Sequence, residues 1–176
     1  MIQKKNGFTL IEILVVVAII AIFSAIVIPN VNAARIGKQV EANARSLASA
    51  LREAQNHALA GERAVTNRVS CSFSFGPSAA SVTSIARAYQ YRNGATCAAS
   101  TRSESLTAFS LTQGVRLLEA NVGVRFKVPW GEVWNGTGSE KLGSVVRYTL
   151  AKSTARWSVC VYPEGRIEEV LGSSCP

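Results

Sequence analysis

The chain has 176 residues, 19 of them Lys or Arg against 11 acidic side chains, for a net charge of +8. That length holds one globular domain plus an appended segment. Every acidic residue is Glu; the lack of Asp argues against an Asp-rich calcium loop and removes most of the usual carboxylate pairs of catalysis.

In chain order, residues Met1 to Gly7 are polar and basic (Lys4, Lys5) and end in glycine. From Phe8 to Ile28 the chain is apolar, long enough at about 1.5 Å per helical residue to cross a hydrocarbon core of roughly 30 Å. Glu12 interrupts this run, and a carboxylate there costs about 2.5 kcal/mol or more on insertion scales. A secretory signal would place its small-residue cleavage site after the apolar core; here the small residue comes first. A cut after Gly7 would leave the apolar helix on the mature chain, with seventeen basic side chains against eleven acidic ones. It would also give Phe8 a new α-amino group close in sequence to Glu12, which lacks a partner of opposite charge.

A helix is predicted from Phe8 to Ala60, roughly 80 Å long, with Gly61 as its C-cap. Pro29 removes a backbone hydrogen bond, so a kink or local melting is expected between Ser24 and Pro29; Gly37 is a second weak point. From Gln39 onward the pattern is amphipathic: Val40, Ala44, Leu47, Leu51, Ala54 and Ala58 recur every three or four residues. The segments are then 1–7, a removable leader; 8–30, a membrane-spanning half; 31–61, an amphipathic half; and 62–176, a β-rich head.

The head reads as strands. Alternation marks Val69 to Phe75, Tyr89 to Arg92, Val122 to Val128, Val146 to Leu150 and Trp157 to Val161, with a last strand from Arg166 to Leu171. Asn135-Gly136-Thr137-Gly138 and Pro163-Glu164-Gly165 are turns, and Gly76 to Ser84 is a loop. Strands with one apolar face need a cover, and the amphipathic half-helix supplies it. The expected fold is α+β: an antiparallel sheet on the C-terminal half of a long N-terminal helix.

The four cysteines, Cys71, Cys97, Cys160 and Cys175, all follow the apolar segment. An even number outside the cytoplasm reads as two disulfides. Of the three possible pairings, Cys71–Cys97 with Cys160–Cys175 is favoured, because each joins segments close in sequence. No Cys-x-x-Cys spacing supports zinc, and no cofactor is expected. His57 stands without a second histidine, and there is no Gly-x-Ser-x-Gly elbow and no phosphate loop, so an enzyme is not expected. Trp130, Trp134 and Trp157 read as core or rim of the head. Thirteen arginines are spread along the chain without a run of five like charges.

Gly7-Phe8-Thr9-Leu10-Ile11-Glu12 followed by an apolar helix, with Pro29 at the twenty-second mature position, resembles the class III signal of type IV pilins and type II secretion pseudopilins. The resemblance implies that a prepilin peptidase cleaves between Gly7 and Phe8 and methylates the Phe8 amine. It implies that Glu12 pairs with the Phe8 amine of a neighbouring subunit, two charges that are costly apart and tolerable together. The partners it implies are other pilin or pseudopilin subunits and an inner-membrane assembly platform. The implied localisation is the inner membrane, head outside the cytoplasm, before assembly into a filament. Phe126, Pro129, Gly131 and Gly165-Arg166-Ile167 are similar to the GspH/FimT/FimU branch of minor pilins. Two other readings are a secretion pseudopilin, and a major or DNA-capturing pilin. DNA-uptake members carry Gly-Arg-x-Arg near the C-terminus; here Gly165-Arg166-Ile167-Glu168 puts acids beside Arg166, which makes nucleic acid the lesser option.

Overall fold

The computed structural model describes residues 8–61, 69–77, 83–92, 102–119 and 123–176. Cys97 and Val122, singled out above, lie outside them, as do residues 1–7. The chain divides into two compact units, Met1–Ile36 and Gly37–Pro176, and one helix, α1 (Leu10–Leu59), contributes to both.

In the first unit the described apolar side chains face outward all round. Leu10 and Ile11 are 83% and 71% exposed, and Val17, Ile20 and Phe23 are likewise exposed. Ser24 donates its hydroxyl to the Ile20 carbonyl at 2.8 Å, so this hydroxyl is satisfied inside the helix. Helical backbone continues through Pro29; the local melting expected there does not occur. Among the described residues no helix is long and apolar enough to cross a membrane. The side chains of residues 25–30, which belong to the apolar run read in the sequence, are not among those described.

The second unit is built on two antiparallel sheets rather than the single sheet expected. Their strands are β1 (Val69–Pro77), β2 (Ser84–Arg92), β3 (Arg102–Ser110), β4 (Arg116–Glu119), β5 (Val124–Lys127), β6 (Glu132–Asn135), β7 (Val146–Lys152), β8 (Ala155–Val161) and β9 (Ile167–Leu171). The first sheet runs β3-β2-β1-β5-β6 and the second β4-β7-β8-β9. Strands β3, β4 and β6 are additions to the sequence reading. The loop expected from Gly76 to Ser84 is cut into from both ends, because β1 reaches Pro77 and β2 begins at Ser84.

The helical stripe packs as its spacing dictates. Val40, Ala44, Leu47, Leu51, Ala54 and Ala58 are all buried, in one cluster with Phe73, Phe75, Tyr89 and Phe126 of the first sheet and Tyr148, Leu150 and Val159 of the second. Two buried polar groups link the helix and the sheets. The Asn43 carboxamide donates to the Gln39 carbonyl and accepts from the Thr112 amide at 2.9 Å. The Tyr148 hydroxyl donates to the Phe75 carbonyl at 3.2 Å, tying the two sheets; burial pushes that phenol well above its ordinary pKa. At the helix end Gly61 takes a left-handed φ of 63°, the conformation a glycine cap provides.

Candidate functional site: the helix N-terminus

The first turn of α1 begins after Thr9. The Glu12 amide donates to the Thr9 hydroxyl at 3.3 Å, and the Ile13 amide donates to the Thr9 carbonyl at 3.3 Å. Thr9 is therefore the N-cap, taking up a donor that a helix start leaves without an intrahelical partner. Thr9-Leu10-Ile11-Glu12 has the Thr-x-x-Glu spacing of a capping box, a signal that was legible in the sequence and that the reading above passed over. It gives Glu12 a local reason to exist: a carboxylate in the first turn sits favourably at the positive end of the helix dipole. Phe8, just before the cap, is 81% exposed; Gly7 lies outside the described residues. The geometry thus presents an exposed aromatic residue, a capped helix start and one acid. They stand at the head of an apolar surface that nothing described in the chain covers.

The other singled-out residues do not converge on a second site. Cys160 and Cys175 form a disulfide across 15 positions of sequence, one of the two pairs favoured from spacing. Cys71 is disulfide-bonded. Arg166 is about half exposed and already paired. Its guanidinium bonds Glu168 at 2.6 Å and Glu164 at 3.3 Å, and lies 3.8 Å above the Tyr162 ring. Two carboxylates beside the guanidinium offset its charge. The surrounding hairpin is fastened to α1, where Gln55 donates to the Gly165 carbonyl and Arg52 to that of Ile167.

His57 stands 3.6 Å from Glu53 and stacks beside Phe73 with ring centroids 5.9 Å apart. The three tryptophans have three different settings. Trp130 is 74% exposed at the β5–β6 turn, Trp134 lies under the Lys127 ammonium at 3.0 Å, and Trp157 packs against the core. Among the described residues no cluster of His, Cys or Glu could hold a metal.

Residues 2–28 match a family model described as the prokaryotic N-terminal methylation motif. No curated protein and no solved structure matches the chain. The motif brackets the capped helix start described above, and the helix it opens leads into antiparallel sheets. By that motif and that fold, the chain carries the N-terminus of the type IV pilin and pseudopilin family.

Proposed function

We propose that this chain is a minor pilin-like subunit of the GspH/FimT/FimU type. In this reading prepilin peptidase cuts between Gly7 and Phe8 and methylates the Phe8 amine, and the helix then passes from the inner membrane into a filament. The observation that carries the reading is the conjunction at the N-terminus. A methylation motif over residues 2–28 coincides with a helical segment whose described apolar side chains, from Phe8 to Phe23, are exposed on every face. Such a surface needs lipid or other helices around it. Moving from one to the other keeps it apolar throughout, and only Glu12 has its electrostatics changed. Pairing with a neighbour's Phe8 amine offsets the cost of burying that charge.

The head is exported in this reading, in keeping with its disulfide, and its second disulfide joins Cys71 to Cys97. Edman sequencing of the protein extracted from its native membrane should begin at Phe8 with a methylated amine; a sequence beginning at Met1 would refute the processing. Non-reducing peptide mapping should recover a Cys71–Cys97 peptide beside the Cys160–Cys175 one.

A further inference from the structure

A single helix cannot cover the first sheet. Five strands about 4.8 Å apart span roughly 20 Å, whereas a helix is about 10–12 Å across. Register places Phe75, Arg87 and Leu106 in one row across β1, β2 and β3. Along that row cover falls away: Phe75 is 2% exposed, Arg87 is half-buried, and Leu106 is 38% exposed. Between this wing and α1 lies an open groove of about 300 Å³. Its floor is Phe73, Phe75 and Leu106, and its helical wall includes Ala50 and Ala54, one turn apart. Small side chains on a helix let a second helix approach closely. Glu53, His57 and Arg87 also line it, and the Arg87 Nε is held down on the Thr107 carbonyl at 2.8 Å.

We propose that this groove receives the uncharged N-terminal helix of a neighbouring subunit, the element this chain itself supplies as Ile13–Phe23. The inference rests on the filament reading above. One chain carries both an apolar helix without cover among the described residues and an apolar groove beside a helix too narrow to close it. An uncharged segment suits the floor of Phe73, Phe75 and Leu106, where a charged one would be desolvated against apolar side chains. The contact is also of the right kind. Helix into groove joins two different surfaces, and such heterologous contacts propagate into open filaments, whereas like-to-like contacts close into dimers.

The test is a photo-crosslinking amino acid at position 106 of the full-length chain, expressed in its native host. Sheared filaments should yield adducts on the uncharged helix of a neighbouring subunit, at Ile13–Phe23 or its counterpart, and detergent-dispersed subunits should not. Leu106→Glu should lower incorporation at least tenfold with leader cleavage unchanged, while Leu106→Met should incorporate normally. Filaments whose adducts fall only on β-rich heads, or normal incorporation of Leu106→Glu, would overturn this docking while leaving the filament reading intact. A chain that keeps its leader or never enters filaments would overturn both.

Discussion

The two halves of α1 differ in how much apolar side chain they carry and in where it sits, and they have opposite fates. Between Val40 and Ala58 the apolar residues form a stripe, and the two sheets cover it almost completely: Val40, Leu47 and Leu51 are fully buried. Between Phe8 and Phe23 they form a sleeve, and every large one is about half exposed or more. The first half is richer in large apolar residues, and the angular distribution decides what can cover each half. A stripe can be satisfied within one chain by a sheet, but a sleeve must be satisfied from all sides by lipid or by other chains. The polar residues divide accordingly. On the striped half, Glu41 pairs with Lys38 and Arg45, and Arg52 pairs with Glu169, all within the chain. On the sleeved half the only ionisable side chain from Phe8 to Phe23 is Glu12.

The comparison breaks most sharply at Glu12, which has two possible jobs. Glutamine can fill the last position of a capping box but carries no charge. If the charge matters, Glu12→Gln and Glu12→Ala should both be processed normally and both incorporate at least tenfold less than wild type, read by immunoblot of sheared filaments. If capping is the whole role, Glu12→Gln should assemble and only Glu12→Ala should fail. On the striped half the expected damage is of another kind. Leu51→Ala should cost the head about 2–5 kcal/mol through the cavity it leaves, seen as a lower urea midpoint of the full-length protein in detergent, with leader cleavage intact. A loss below about 1 kcal/mol would mean that the stripe is not the keystone of the core.

Most of this architecture was legible because it is periodic. The helical stripe, and strands β1, β5, β7, β8 and β9, announce themselves by spacing, since burial on one face imposes a period of 3.6 or of 2. Strand β3 does not: Ser105, Thr107 and Ala108 carry no apolar alternation, because β3 lies at the sheet edge and neither of its faces is fully covered. Strand β4 is four residues with a register shift against β7, too short for a pattern. The division into two sheets was hidden for a related reason. Which strands pair is decided by long-range contacts such as Tyr148 to Phe75, 73 positions apart, and local alternation is silent on it. At the site, Thr9-x-x-Glu12 was readable by spacing. The neutralisation of Arg166 was half readable, since Glu164 and Glu168 are near in sequence, whereas its stacking on Tyr162 depends on the turn between them.

The disulfide gives a smaller effect than the core. Closing a loop of 15 residues contributes about 3 kcal/mol on the chain-entropy account. Cys160→Ala/Cys175→Ala should therefore lower stability by roughly 2–4 kcal/mol, in the same urea assay, and should leave the N-terminal unit's behaviour in the membrane unchanged. A double variant as stable as wild type under non-reducing conditions would show that the C-terminal hairpin is held instead by Arg52 and Gln55.

The smallest expected effect is one of pH, and it separates the halves by the source of their charge partners. The Lys38 ammonium, 2.9 Å from Glu41, and then Arg45 hold the Glu41 carboxyl below its ordinary pKa, against the opposing effect of burial. A carboxyl whose pKa is depressed on folding contributes stability above its unfolded value, near 4.3, and loses that contribution as pH falls through the folded one. Removing the partner with Lys38→Ala should therefore lower stability slightly at pH 7. The gap to wild type should close in acid, below both values. Urea midpoints taken from pH 7 down to pH 3 would show it. A gap that persists unchanged into acid would mean Lys38 acts by packing its stem along the helix. Glu12 has no such neighbour on its own turn, where Thr9, Leu10, Ile11 and Ile13 are all uncharged.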